Sequence, residues 1–176
     1  IYKADNYLTS FGTLVRMILE SSKNKTWSVR SEIKMLKLYL ELEKERFEDG
    51  FIHTEIDTKK LINEDMEIPP MLIQPFVENA CNHAFWGLKD KQAELKIIFS
   101  EKEDALIVKI SDNGVGIEKS KSHSTISYKK SRGMEITQER IDNFNSNNLK
   151  QITLKISELY PLKEFPGTLI TIIINK

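Results

Sequence analysis

The sequence contains a single cysteine, Cys81, so no disulfide can close within its 176 residues. A reducing compartment is the expectation. There is no excess of either charge: Lys plus Arg and Asp plus Glu both count 26, for a formal net charge of zero. This argues against a nucleic-acid partner, whose footprint would be a basic excess. No apolar run reaches the ~20 residues of a membrane-spanning helix, and no secretory leader is visible. An initiating methionine is absent as well. The chain opens on Ile1 within a helical pattern and reads as an excised fragment, which leaves open a membrane segment upstream. Internal repeats and low-complexity tracts are also missing. What is present is globular: 40% apolar and 30% charged residues, enough for one sizeable core.

The first ~50 residues read as helix. Leu8, Phe11, Leu14, Val15, Ile18 and Leu19 recur at three- and four-residue steps. After the break at 21–25, Ser28 is a candidate N-cap, with Glu32 near the capping-box position and Ser31 as an alternative cap. Ile33, Leu36, Leu40 and Phe47 form the stripe of a second helix. That helix carries Glu41, Glu43, Lys44, Glu45 and Arg46 mostly towards solvent and is ended by Asp49-Gly50. Phe51 to Asp57 alternates as a strand. Pro69-Pro70 precedes a helix expected from about Met71 to Phe85, with Pro75 in its first turns. Strands are expected at 95–100 and 106–111, a polar loop at 117–132, and a helix at 134–145. Strands around 152–156 and 169–174 close the chain, the second dense in β-branched residues and suited to the middle of a sheet. This order predicts an α/β (α+β) two-layer sandwich of helices on a mixed, mostly antiparallel sheet, preceded by two helices.

Three short segments can carry chemistry. Asp112-Asn113-Gly114-Val115-Gly116 follows a strand directly. Its carboxylate could face a fixed donor, and its glycines allow close backbone approach; an ordinary Asp-Asn-Gly turn explains the residues equally well. It is neither a Walker loop nor a Rossmann fingerprint. Glu78-Asn79-Ala80-Cys81-Asn82-His83 places Asn79 and His83 on one helical face, as a ligand site or a buried polar network. Ser131-Arg132-Gly133-Met134 opens a helix whose N-terminal amides suit a phosphate, or it simply ends a loop.

In order and spacing these segments resemble the N, G1 and G2 boxes of LytS-type sensor histidine kinases. The N box is Ile68-Pro69-Pro70-Met71-Leu72-Ile73-Gln74-Pro75-Phe76-Val77-Glu78-Asn79-Ala80. The G1 box is Asp112 to Ile117, and the G2 box runs from Ser131 to Met134 and on to Thr137 and Arg140. Gly167-Thr168 and the upstream Tyr39-Leu40-Glu41-Leu42-Glu43 with Arg46-Phe47 fit as well. The resemblance implies a Bergerat ATP-binding fold over 51–176, with residues 1–50 from the C-terminal part of the dimerisation and phosphoacceptor region. It implies ATP and Mg²⁺ as ligands, with Asn79 on the metal and Asp112 accepting from the adenine amino group. Gly114, Gly116 and Thr168 would shape the adenine pocket. Glu78, Asn82, His83, Arg132, Gly133 and Met134 would complete the site, and 117–132 would be the ATP lid. It also implies a response-regulator partner, a homodimeric parent, and a cytoplasmic position in a membrane-anchored sensor.

Three departures stand out. Asn82 occupies a position where the family commonly has lysine. Pro75 stands where ATP-hydrolysing relatives place a catalytic glutamate. None of His53, His83 and His123 lies in the family's Pro-His-Phe phosphoacceptor context, so no catalytic residue is assigned and the acceptor is expected upstream. The rival readings are a conformational ATPase of the gyrase or MutL class, a degenerate nucleotide-free binding module, and a serine kinase acting on an anti-sigma-factor partner.

Overall fold

A computed structural model describes residues 2–47, 51–85, 88, 92–117, 132–147 and 150–175. The elements are α1 (Tyr2–Ser21), β1 (Trp27–Ser28), α2 (Val29–Lys44), β2 (Ile52–Lys60), β3 (Glu67–Ile68) and α3 (Gln74–Asn79). A π-helical turn (Ala80–Ala84) continues α3, followed by β4 (Ala93–Lys102), β5 (Ala105–Asp112), α4 (Arg132–Asn147), β6 (Ile152–Glu158) and β7 (Thr168–Asn175).

The alternating runs pair into a five-stranded sheet in the order β2-β4-β5-β7-β6. Only β2 and β4 run parallel; the other three pairings are antiparallel. β7, the β-branched run, lies between β5 and β6 as its composition predicts. Alternation also sorts the side chains. Leu95, Ile97, Phe99, Leu106, Val108, Ile110, Ile170, Ile172 and Ile174 face the core, while Glu94 and Lys109 are exposed. Phe76 and Val77 of α3, Ile141 and Phe144 of α4, and Leu36 and Leu40 of α2 belong to the same buried cluster. Each such side chain contributes roughly 1.5–3 kcal/mol relative to an exposed one.

The helical start holds with three corrections. α1 does not bury its apolar residues on one face. Leu14 is buried and Ile18 packs on the core, but Leu8 (65%), Phe11 (50%), Val15 (38%) and Leu19 (60%) are exposed. Ser28 does cap α2, accepting from Ser31 N at 3.2 Å, whereas Glu32 makes no capping box. Glu32 turns inward instead, and Glu43 is buried rather than solvated. The cap is worth about 1 kcal/mol. Ser28→Ala should therefore lower stability by about that amount in a urea titration, and an unchanged midpoint would refute the assignment.

The expected helix over 71–85 starts later, at Gln74, because Met71 adopts φ 55 and reverses the chain after the two prolines. β2 starts one residue later than expected and runs three residues further, to Lys60. The two-residue strands β1 and β3, which pair antiparallel, are too short to show an alternation. The second helix ends at Lys44, with Glu45 as its C-cap, before the expected stop at Asp49-Gly50; Asp49, Gly50 and residues 118–131 of the lid lie outside the described residues. Among the described residues no helix is long and apolar enough to cross a membrane.

Candidate functional site

Asp112 is the last residue of β5, at the centre of the sheet, and only 6% exposed. Its Oδ1 accepts from Gly114 N at 2.9 Å and from Thr168 N at 3.3 Å. Burial pushes its pKa up, while the Gly114 amide and the Thr168 hydroxyl and amide pull it back down. The side chain is thus a nearly dry carboxyl held in one orientation by fixed donors. Asn113 serves the sheet instead. Its side-chain amide bridges Glu94 N (2.8 Å) and Gln92 O (2.9 Å), which ties the end of β5 to the start of β4.

The glycines are close-approach positions. A Cβ on Gly114 would lie 2.2 Å from Ala84 O, at the end of the π-helical turn. Val115 N donates to that same carbonyl at 2.8 Å. Gly167 N donates to Gly114 O at 3.0 Å, and Gly167 has φ +61 with Asp112 O where its Cβ would be. Gly116 has φ +79 and faces Pro166. Gly114 and Val115 thereby meet Ala84, just past the Glu78–His83 segment, and Thr168 is tied to the same strand end through Asp112.

In that segment Glu78 and Asn79 are half-buried, whereas Asn82 and His83 are exposed. Pro75 sits in the first turn of α3, as its lack of an N–H allows. Gln74 Nε2 donates to Glu78 Oε1 at 2.6 Å. Burial raises the Glu78 carboxyl, Gln74 lowers it, and the nearby Glu43 raises it. The Tyr39-to-Arg46 signature, at the end of α2 and just beyond it, packs here. Arg46 Nη1 holds both oxygens of Glu43 at 2.8 and 2.6 Å. Tyr39 bonds to Glu43, and burial, with the neighbouring Cys81, Glu43 and Glu78, pushes its hydroxyl well above the usual tyrosine range. Burial first, and then Glu43, push the Cys81 thiol up to about 12, which makes it inert rather than nucleophilic.

Arg132 and Gly133 open α4, and Met134 packs on the core. Ser131, expected to begin that segment, lies outside the described residues. Thr137 is buried, and Arg140 Nη1 donates to Pro70 O at 3.1 Å, which joins α4 to the segment that leads into α3.

The fold matches solved histidine kinase domains. It aligns with the histidine kinase domain of the Erythrobacter litoralis blue-light activated histidine kinase at TM-score 0.60 and 13% identity, covering 96% of this chain and 74% of that one. It also aligns with the catalytic domain of histidine kinase ThkA at 0.53 and 14% identity, covering 86% and 94%. The histidine kinase family model matches residues 2–51. The Staphylococcus epidermidis sensor protein LytS is 35% identical over 116 residues, 65% of this chain and 19% of that protein. The Staphylococcus aureus sensor histidine kinase/phosphatase LytS is 36% identical over 125 residues, 69% and 20% respectively. The chain belongs to the LytS-type sensor histidine kinases. It spans about a fifth of the length of those relatives.

Three features of this LytS-type segment escaped the sequence. Ala84 acts through its carbonyl, which no residue pattern marks. Glu43 read as a solvated helix charge. Glu32, read as a capping-box partner, is fully buried and accepts hydrogen bonds from Trp27 Nε1 at 2.7 Å, Met71 N at 3.0 Å and Ile73 N at 2.8 Å, and from the Gln74 amide.

Proposed function

We propose that this segment binds Mg-ATP and supplies its γ-phosphoryl group to a histidine outside these residues, for relay to a response regulator. The observation that carries this reading is Asp112: a buried carboxyl oriented by Gly114 and Thr168 beside a glycine-lined approach. In the proposal Asp112 accepts from the adenine amino group. Gly114, Gly116 and Thr168 bound the adenine, and Glu78, Asn82 and His83 flank the phosphates. Arg132, Gly133 and Met134 open α4, whose N-terminal amides receive phosphate oxygens. Transfer then rests on positioning and charge neutralisation.

The donor set fits magnesium. Asn79 offers a hard amide oxygen, and among the described residues no group of three or more His, Cys, Asp or Glu converges to hold a metal alone. Phosphate oxygens and water would complete the shell, and the bound ion would offset phosphate charge. Pro75 leaves no general base at the position four residues before Asn79, which disfavours the conformational-ATPase reading.

Residues 1–50 are read as the end of the dimerisation region and 51–176 as the ATP-binding domain. The exposed stripe Leu8, Phe11, Val15 and Leu19 supports a homodimeric parent. That parent would hold this segment on the cytoplasmic side, with any membrane anchor in parts outside it.

Calorimetry is the test. The chain should bind Mg-ADP, and Asp112→Asn should weaken binding by about tenfold to a hundredfold, the worth of a hydrogen bond to a charged group. Absence of binding by the unaltered chain would favour a degenerate module. Incubation with γ-labelled ATP should leave His53, His83 and His123 unlabelled; stable label on any of them would contradict an outside acceptor.

A further inference from the structure

The short helix α3 lacks a cap of its own. Its N-cap residue is Ile73, with no side-chain hydrogen bond to the helix start. Four N-terminal amides of any helix need acceptors, and a carboxylate is favoured there. Glu32 supplies one from another element. It lies on α2, 41 residues before Ile73, and its Oε1 accepts from Ile73 N, while Oε2 accepts from Met71 N and Trp27 Nε1. Gln74 N also bonds to it.

The bonded segment is the one that reverses the chain. Met71 is held at φ 55, a conformation that costs a residue with a Cβ about 1–3 kcal/mol and persists only when its surroundings fix it. The surroundings come from four elements. Ser21 at the end of α1 donates to Met71 Sδ at 3.2 Å, and Trp27 of β1 pairs with Ile68. Glu32 of α2 takes the Met71 and Ile73 amides, and Arg140 of α4 takes Pro70 O. Asn79 and Glu78 lie one to two turns beyond this junction.

We infer that Glu32 is a positioning residue: an N-cap supplied by α2 that couples the α1–α2 junction to the placement of Asn79. A shift of α2 relative to the sheet would break the Met71 and Ile73 bonds and release the reversed turn, moving the metal end of the site while leaving the Asp112 end in place. The inference rests on the proposed nucleotide reading, of which it names a point of control.

The test compares ADP affinity with Mg²⁺ and with EDTA, in the 176-residue chain and in Glu32→Gln. The substituted amide can accept at one oxygen only and turns an NH₂ towards a backbone N–H. If Glu32 positions Asn79, the variant loses about tenfold or more of the tightening that Mg²⁺ brings, the worth of about one charged hydrogen bond. Its affinity in EDTA, set at the Asp112 end, stays within about twofold of the parent on the same scale. Hydrogen exchange should show amides 74–84 losing protection while those of β5 and β7 keep it. If Glu32→Gln does not fold, Trp27→Phe, which removes the indole donor and leaves the backbone amides in place, should give the same pattern at smaller size. Full retention of the Mg²⁺ effect, or a uniform loss in both conditions, would overturn the coupling while leaving nucleotide binding standing. Failure of the parent to bind ADP at all would overturn the nucleotide reading itself, and the coupling with it.

Discussion

Gly114→Ala should destabilise the chain by about 3 kcal/mol or more and abolish binding of Mg-ADP, the upper range for forcing atoms into a packed site. The added Cβ would meet Ala84 O at 2.2 Å, Ala84 C at 2.5 Å and Ala84 Cβ at 2.7 Å. Two of these are backbone atoms of a turn that also accepts Val115 N, so no side-chain rotation relieves the contact. The β5 end must move away from the π-helical turn, and Gly114 N then leaves Asp112. Gly12→Ala is the matched control. It is exposed within α1, with nothing within 4 Å of its Cβ, and should raise stability by roughly 0.5–1 kcal/mol. Urea titration reads both variants and calorimetry reads the first. A Gly114→Ala protein with the parent's midpoint would disprove the tight junction.

The second large effect is a fall in stability as the solution turns from mildly acidic to mildly alkaline. Burial pushes the Glu32 carboxyl from 4.5 up to about 7, against the hydrogen bonds from Ile73, Trp27, Gln74 and Met71 that favour its ionised form. No ion pair among the described residues includes it. The folded state therefore holds a proton that the unfolded state releases between those two values. The stability this contributes is complete below about 4.5 and is lost as pH rises through about 7. The span corresponds to about 3 kcal/mol. Burial raises Glu78 and Asp112 in the same direction, so they add to the slope rather than cancel it. Melting curves of the parent and Glu32→Gln between pH 4 and 8 isolate the Glu32 share, since the variant cannot titrate there. Parallel curves would mean that Glu32 is ionised in the folded state throughout.

Glu32 also marks the limit of what one-dimensional spacing conveys. Ser28 could be read as a cap because its partner is three residues away. The backbone amides of Met71 and Ile73 that Glu32 holds are 39 and 41 residues away, so its nearness to Ser28 was visible and these partners were not, and that nearness pointed to the wrong role. The strands were legible because alternation is local; β4 ran two residues beyond its expected limits at each end, where pairing with β2 begins at Ala93 and pairing with β5 continues to Lys102. Leu72 and Ile73 resemble the start of a helix, but both are fully buried in the reversed turn before it. The α1 stripe read as one face because periodicity gives the direction of side chains and not what covers them. The Asp112 constellation was recognisable from its motifs, whereas the carbonyl of Ala84 that closes it has no side-chain signature.

The single parallel pairing, β2 with β4, has a kinetic consequence. β4 and β5 are joined through Glu103-Asp104 alone, with Glu103 at φ 54, so that ladder closes in one local step. β2 reaches β4 only after the chain has passed through β3, α3 and the π-helical turn, and its loop-closure entropy must be met before its contacts form. The hairpin is the natural nucleus, and the edge strand next to α2 is a late arrival. Refolding therefore builds the strand that ends in Asp112 before it seats the turn that brings Ala84 against the residues just after it.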